Sequence, residues 1–322
     1  MSEPMDWLSR LLDITPVRGR LDLRCLYGAP WRIEEDLSEP GEIPYHVVLA
    51  GTAILDDPAG GPSLRLDAGD MLLFSQGDAH VLHDGSGKRA KRAHNRETAN
   101  VIISENAGTG ERLDMLCGRF VVTAAHERLL RGYLPSRLVV RAADREGSTA
   151  KPETAAELTG LVTLMRIASG SDGLGGRAML NALSTALFAL TLRLASEAHE
   201  APAGLLALAG YPRLAPALEA MFREPGRPWT LPTLAQLCNM SRATFVRLFQ
   251  EKLGHSASDL LTDIRMTLAA NELKNPSLST GAVAEAVGYQ SEAAFQRAFK
   301  HHIGVTPASW RRAAKTQAAT PV

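Results

Sequence analysis

Apolar residues change their spacing along the chain, and the changes divide it into parts. Between Trp7 and Leu12 they recur at the spacing of a short amphipathic helix. From residue 20 to about residue 122, short apolar runs alternate with Gly, Pro and Asp clusters, which is typical of many short strands in a β-sandwich or small barrel. From Pro152 onward the period becomes helical.

Two helices with continuous apolar stripes follow the β region. The stripe of the first helix consists of Leu158, Leu161, Val162 and Met165. The stripe of the second helix consists of Met179, Leu183, Leu187, Leu190 and Leu194. Such a stripe packs either in the core of its own chain or against a second copy. Because the second stripe is long and uninterrupted, we expect it to form the seam of a homodimer, with an internal core as the alternative.

The last 90 residues contain two copies of one pattern. Matching residues lie 49 or 50 positions apart: Ala235 with Ala284, Asn239 with Gly288, Phe245 with Phe295, Arg247 with Arg297, and Phe249 with Phe299. Each copy predicts a helix-turn-helix: a small residue where two helices cross, then a turn residue that tolerates positive φ, then Ser241 or Ser291 as the N-cap of the second helix. Two copies in register, joined by a helix from Ser256 to Asn275, favour this over a purely structural bundle.

Charge divides the chain at the start of this module. Residues 1–210 carry 22 Lys and Arg against 27 Asp and Glu, whereas residues 211–322 carry 13 against 8. A basic module can attract phosphates. The composition, 45% apolar and 22% charged, excludes a disordered chain, and no uncharged run of 18 apolar residues predicts a membrane-spanning helix. We therefore expect a cytoplasmic protein with no membrane partner.

The repeated module resembles the DNA-binding domain of AraC/XylS-family transcription regulators over residues 213–313. The resemblance rests on Ser241 to Phe249, Gly254, Ile264-Arg265 and the run from Val287 to Arg311. It implies that the second helix of each copy enters the major groove of double-stranded DNA. The residues that it carries to the DNA interface are Arg242, Ala243, Val246, Arg247, Glu292, Ala293, Gln296, Arg297 and Lys300. RNA polymerase becomes a second expected partner, while activation or repression stays open.

The N-terminal half resembles the cupin-type sensor domains that are fused to such regulators, over residues 7–125. Gly69, Ser75, Gly77, His80 and Asp84 follow the spacing of the second cupin motif, with Ser75 and Asp84 where Pro and Asn are usual. The segment from Tyr45 to Gly51 matches the end of the first motif, but the His-x-His pair that normally precedes it is absent.

The histidines of this half leave a metal site open. His46 and His80 are the candidate ligands, because imidazole binds zinc or iron. A cupin metal site takes two histidines from the missing pair, so we expect no cofactor. The chain is expected not to be an enzyme, since it shows no catalytic triad, phosphate loop or paired carboxylates; a cupin metalloenzyme with an accessory helical domain is the alternative.

Two of the three cysteines stand at the ends of the β region. Cys25 follows Arg24, and Cys117 lies near Arg119. A neighbouring guanidinium can lower the pKa of a thiol and make it reactive. Certain oxidant-sensing members of the resembled group also have cysteines at these positions, so both are redox-sensor candidates; burial as small apolar residues is the alternative, and Cys238 is expected in the core.

The sequence thus predicts an α+β chain with a cupin-like β-barrel, a helical dimerisation segment and an all-α double helix-turn-helix domain. The expected boundaries are 1–125 for the sensor, 126–212 for the helical segment and linker, 213–313 for the DNA-binding domain and 314–322 for a disordered tail. The expected function is sequence-specific transcription regulation in response to a small molecule or an oxidant.

Overall fold

Strands fill the first half of the chain, as the alternating pattern predicts. The computed structural model describes residues 6–57, 61–141, 151–198, 201–202 and 204–319. Helix α1 (Trp7–Ile14) precedes the strands, and helix α2 (Ala124–Arg131) lies between the last two. The strands are β1 (Arg18–Gly28), β2 (Arg32–Glu35), β3 (Glu42–Ala50), β4 (Thr52–Leu55), β5 (Leu64–Asp67), β6 (Met71–Phe74), β7 (His80–His83), β8 (Ala93–Glu97), β9 (Ile102–Asn106), β10 (Arg112–Val121) and β11 (Arg137–Val140).

The strands form two sheets with an apolar core between them. One sheet has the order β11-β6-β3-β10-β1-β9-β8, and the other has the order β2-β7-β4-β5. The core includes Tyr27, Trp31, Leu72 and Met115 together with the two predicted sensor cysteines. The α+β class and the β-rich N-terminal half are therefore confirmed.

The longest strands, β1 and β10, pair with each other at the centre of the larger sheet. They run antiparallel from Arg18 opposite Val121 to Gly28 opposite Arg112, with a bulge between Leu21 and Leu23. Gly118 is required at this pairing, because a Cβ there would approach the Tyr45 hydroxyl to 2.6 Å.

Helices α3 (Pro152–Ser169) and α4 (Gly176–Glu197) form an antiparallel hairpin against the larger sheet. The predicted dimer seam is wrong for two of its five residues: Leu187 and Leu194 are buried inside the chain. The stripe turns inward because α4 packs on β1 so closely that a Cβ on Gly19 would meet the Thr185 nitrogen at 2.3 Å. Helix α4 is long and apolar enough to cross a membrane by length and composition, a test that core helices of soluble proteins also pass.

The C-terminal part of the chain is helical. Its helices are α5 (Leu205–Ala209), α6 (Ala215–Arg223), α7 (Leu231–Leu237), α8 (Arg242–Leu253), α9 (Ala257–Glu272), α10 (Thr280–Ala286), α11 (Glu292–Ile303) and α12 (Pro307–Ala319). The disordered tail expected from residue 314 is wrong up to Ala319, since α12 continues to that residue; residues 320–322 lie outside the described residues.

Contacts divide the chain into two compact units that differ from the expected boundaries. The sensor unit contains residues 17–122 and 134–202, and the DNA-binding unit contains residues 1–16, 123–133 and 203–322. Helices α1 and α2, which sequence reasoning assigned to the N-terminal regions, thus belong to the same unit as the tandem helix-turn-helix motifs.

Candidate functional site

Helices α8 and α11 begin and turn as the repeat predicts. Asn239 has φ +51° and Gly288 has φ +84°, so both turns use the left-handed conformation. Ser241 caps α8 by accepting from the Thr244 amide, and Ser291 caps α11 by accepting from the Ala294 amide. These caps fix where each second helix starts and therefore which residues it exposes.

The two helices bury one face and expose the other. Phe245, Phe249, Phe295 and Phe299 are buried in the DNA-binding unit. The predicted DNA-contacting residues are all exposed: Arg242, Ala243, Val246, Arg247, Glu292, Ala293, Gln296, Arg297 and Lys300. The structure therefore groups them into one exposed face on each helix.

Three of these side chains, Arg247, Glu292 and Gln296, have partners within their own helix. The Arg247 guanidinium lies 3.3 Å from Glu251 Oε2, and Gln296 Nε2 donates to Glu292 Oε1 at 2.8 Å. In contrast, Arg242, Arg297 and Lys300 make no ion pair with any part of the chain that the structure describes. These three cations are thus free to meet phosphate or base acceptors.

A buried acid in α9 was missed by sequence reasoning. Asp263 accepts from the Tyr133 hydroxyl and from Arg128 Nε, and it forms an ion pair with His302. Burial would raise the pKa of Asp263, but the hydrogen bonds from His302 and Tyr133 and the charge of Arg128 lower it. It therefore stays ionised and joins α2, α9 and α11 within one unit.

The sensor unit brings all four of its predicted site residues together. Cys25 Sγ lies 3.7 Å from Cys117 Sγ, which lies 3.2 Å from His46 Nδ1. His46 Nε2 in turn lies 2.7 Å from His80 Nε2. The cysteines and His46 belong to the larger sheet and His80 to the smaller one, so this thiol–imidazole cluster crosses the core.

The hydrogen-bond partners determine which ring nitrogens of the two histidines carry a proton. The Asp78 carbonyl oxygen can only accept, so His80 Nδ1–H donates to it at 2.9 Å. His80 Nε2 then accepts from His46 Nε2–H, which leaves His46 Nδ1 as the acceptor for the Cys117 thiol. The Phe74 ring stacks on the His80 ring, with 3.8 Å between the ring centroids. No sequence motif predicts this contact.

The surroundings keep both imidazoles and the Cys117 thiol of the cluster uncharged. Burial lowers the pKa of His46 to about 3, with His80 adding to the effect, and it also lowers the pKa of His80. The hydrogen bond with Cys25, followed by burial, raises the pKa of Cys117. Both cysteines are buried, so the expected alternative of buried packing is correct as to their location.

The expected lowering of the Cys117 thiol pKa by a neighbouring arginine is wrong, because that pKa is raised. Successive side chains of a strand point to opposite faces, so Arg24 does not face Cys25. Arg119 lies two residues from Cys117 on β10, but its guanidinium is engaged by carboxylates. Arg24 instead donates to Asp114, and Arg119 donates to Asp22 and Glu42.

The histidines are arranged for hydrogen bonding rather than for metal coordination. Two imidazoles on one tetrahedral zinc ion would have nitrogens about 3.3 Å apart, from metal–nitrogen bonds of about 2.0–2.1 Å. His46 and His80 approach to 2.7 Å, and both ring nitrogens of each have partners. Among the described residues no group of three or more His, Cys, Asp or Glu side chains is arranged to hold a metal.

A cavity of about 760 Å³ lies elsewhere in the sensor unit, between β3 and α3. Val48, Leu158 and Val162 give it apolar walls, and Arg166 contributes a cation. Apolar walls with one cation are a lining that suits a small ligand with an anionic or polar end.

Comparison with known proteins gives two family matches. The family described as "Cupin" matches residues 6–197, and the family described as "Helix-turn-helix domain" matches residues 234–313. An "Uncharacterized HTH-type transcriptional regulator" of Haemophilus influenzae is 29% identical over 96% of this chain and 99% of its own. The "RCS-specific HTH-type transcriptional activator RclR" of Escherichia coli is 27% identical over 95% of this chain and 97% of its own.

Among solved structures, an AraC-type DNA-binding domain protein from Chromobacterium violaceum is 26% identical, with a TM-score of 0.31. It covers 35% of this chain and 98% of its own.

Proposed function

The chain belongs to the AraC-type family of cupin-containing transcription regulators, and on that premise we propose that oxidation of Cys25 and Cys117 controls its binding to an operator. The observation that carries the proposal is the 3.7 Å distance between the two thiol sulfurs, with an imidazole nitrogen in contact with one of them. The RclR relative is described as RCS-specific, which agrees with an oxidant as the signal.

The chemistry needs a two-electron oxidant, such as hypochlorous acid or a peroxide, that can enter the core. The Cys117 sulfur attacks the oxidant while its thiol proton moves to the departing hydroxide, chloride or alkoxide, which leaves a sulfenic acid or a sulfenyl chloride on Cys117. The Cys25 sulfur then displaces hydroxide or chloride from it, and the S–S bond forms. Two thiols lose two electrons and two protons; hypochlorous acid is thereby reduced to water and hydrogen chloride, and a peroxide to water with an alcohol or a second water.

Operator binding of the purified chain during oxidant titration tests this proposal. We expect Cys25→Ser and Cys117→Ser to abolish the response while the reduced proteins bind the operator normally. Cys238→Ser is the matched control, because Cys238 is also buried but lies in the DNA-binding unit. A response that survives without Cys25 and Cys117 would eliminate the thiol mechanism and favour a ligand in the sensor cavity.

We propose that the exposed faces of α8 and α11 read the operator. Arg297 has no side-chain partner among the described residues, whereas Arg247 must leave Glu251 to reach a base. A bidentate Arg–guanine contact discriminates by about 1–3 kcal/mol. Arg297→Ala should therefore relax specificity at one operator position in a binding-site selection experiment; an unchanged selected sequence would reject this assignment.

We propose homodimerisation through the outer face of the α3–α4 hairpin rather than through the predicted stripe. Leu164 and Ile167 of α3 and Met179 of α4 are each at least half exposed, which is unusual for apolar side chains of this size. A second copy is the partner because two DNA-binding units bind one operator more tightly through effective concentration. Sedimentation of Leu164→Asp should give a folded monomer; an unchanged dimer would place the interface elsewhere.

Turnover by the cupin unit is the competing function. We propose a regulator without enzymatic activity, acting in the cytoplasm where operators and RNA polymerase are found. Metal analysis of the purified chain separates the two, since a stoichiometric metal with substrate turnover would support a metalloenzyme.

A further inference from the structure

One amide in α9 holds the ends of two helices that come from the N-terminal half of the chain. Asn271 Nδ2 donates to the Ile14 carbonyl oxygen at 2.7 Å, at the end of α1. Asn271 Oδ1 accepts from His126 Nε2 of α2 at 2.8 Å. Because the carbonyl can only accept, the orientation of the amide is fixed, and His126 must carry its proton on Nε2.

The second ring nitrogen of His126 is also bonded, so the ring cannot rotate freely. His126 Nδ1 lies 2.9 Å from the hydroxyl of Thr123, the N-cap residue of α2. His126 is 1% exposed, and burial lowers its pKa, so the neutral ring persists at neutral pH.

Helices α1 and α2 are covalently continuous with the two strands that carry the cysteines. Only residues 15–17 separate α1 from β1, which carries Cys25, and only residues 122–123 separate β10, which carries Cys117, from α2. Arg18 at the start of β1 pairs with Val121 at the end of β10, so the two strands leave the sheet side by side.

Formation of a disulfide must disturb the pairing of these strands. Cys25 is in register with Met115, and Cys117 is in register with Leu23, so the cysteines are diagonal neighbours. Diagonal Cα atoms lie roughly 7–8 Å apart in an antiparallel pair, whereas a disulfide spans about 4.4–6.8 Å. The sulfurs must also close from 3.7 Å to about 2.05 Å. The adjacent bulge at Leu21 and Leu23 is a place where β1 can yield.

We propose that Asn271 is the positioning residue through which the redox state of the cysteines reaches the tandem helix-turn-helix. The proposal rests on the thiol mechanism given above. A shift of β1 against β10 moves the end of α1 relative to α2. The Asn271 amide then cannot keep its hydrogen bonds to both helices. Either the bond to Ile14 or the bond to His126 is then lost, and α9, which packs against both α8 and α11, loses a fixed attachment.

Asn271→Ala tests the proposal in the full-length chain, with Glu272→Ala as the control. Glu272 is the next residue of α9, is similarly half-buried, and has no side-chain partner among the described residues. In the wild type and the control we expect oxidation to change the operator Kd by about tenfold, within the usual range of allosteric coupling. In Asn271→Ala we expect the oxidised and reduced forms to share one Kd, and alkylation with mass analysis to show disulfide formation at the normal rate.

An Asn271→Ala protein that forms the disulfide and keeps the tenfold change overturns the role of Asn271. A wild-type protein that never forms the disulfide overturns the thiol mechanism instead, and this inference with it. Hydrogen exchange on the wild type covers the case in which Asn271→Ala fails to fold. We expect oxidation to reduce amide protection in α1 or α2, and unchanged protection in both would overturn the inference.

Discussion

His46 should make the stability of the sensor unit depend on pH, and replacement by Gln should remove that dependence. The ring is buried in the thiol–imidazole cluster, and its pKa falls from an ordinary 6.5 to about 3. Between these values the unfolded chain binds a proton on this ring that the folded chain does not bind. The free energy of unfolding therefore decreases as the pH falls below 6.5.

The size of the effect follows from the width of this window. Each pH unit inside it costs about 1.4 kcal/mol for one group, so lowering the pH from 6.5 to 5 removes about 2 kcal/mol through His46 alone. Domains are stable by only about 5–15 kcal/mol, so such a loss is measurable. His80, whose pKa is also lowered by burial, adds a contribution of the same sign.

Urea unfolding at pH 7 and pH 5 provides the measurement. Trp31 is buried in the sensor core, and its fluorescence reports that unit when the other three tryptophans are replaced by Phe. In the parent chain, the free energy of unfolding at pH 7 exceeds that at pH 5. In His46→Gln this difference should be smaller by about 2 kcal/mol, whatever the absolute stability of the variant. His94→Gln, at an exposed position on β8, is the control. If His46→Gln and the parent show the same pH difference, the buried neutral ring is the wrong description.

Further predictions concern single substitutions with separate readouts. Leu187→Ala should lower the free energy of unfolding by about 2–5 kcal/mol in a denaturant titration, because the side chain is fully buried. Gly288→Ala should destabilise the DNA-binding unit in a thermal melt by more than about 1 kcal/mol, since its Cβ would lie 2.4 Å from the Gly226 carbonyl oxygen at φ +84°. Ser291→Ala should cost about 0.5–2 kcal/mol in the same melt through loss of the N-cap. If Lys300 contacts a phosphate, Lys300→Ala should weaken binding to all sequences alike and reduce the salt slope of the binding constant by about 1; a sequence-dependent loss would show that Lys300 contacts a base instead.

The DNA-binding unit could be predicted closely because its signals are local. A Ser N-cap, a residue with positive φ and a pair of phenylalanines define each second helix within about twelve residues, and Ser241, Asn239 and Phe245 all behave as expected. The contribution of α1 and α2 could not be predicted in this way. Ile14 lies 257 positions before Asn271, and His126 lies 145 positions before it. No periodic pattern in the sequence predicts contacts between residues so far apart.

The sensor residues could be identified but their relationship could not. The cysteines and histidines were chosen for their chemistry, as separate redox and metal candidates. The register of β10 against β1 and β3 makes them neighbours, because it sets Cys117 directly opposite His46 and diagonal to Cys25. The same strand geometry turns Arg24 away from Cys25, so adjacency in the sequence does not bring these two side chains together.

The pairing of β1 with β10 also has a consequence for how the chain folds. Helix α1 is synthesised first, yet its partner Asn271 emerges from the ribosome 257 residues after Ile14. Closing a flexible loop of that length costs about 5 kcal/mol of chain entropy in addition to a constant term. Once Arg18 pairs with Val121, however, α1 and α2 extend from adjacent strand ends. Both helices are then close to each other before α9 is synthesised. Folding of the sensor during synthesis is thus a step in assembling the DNA-binding unit, and mutations that delay the β1–β10 pairing should slow the appearance of operator-binding activity.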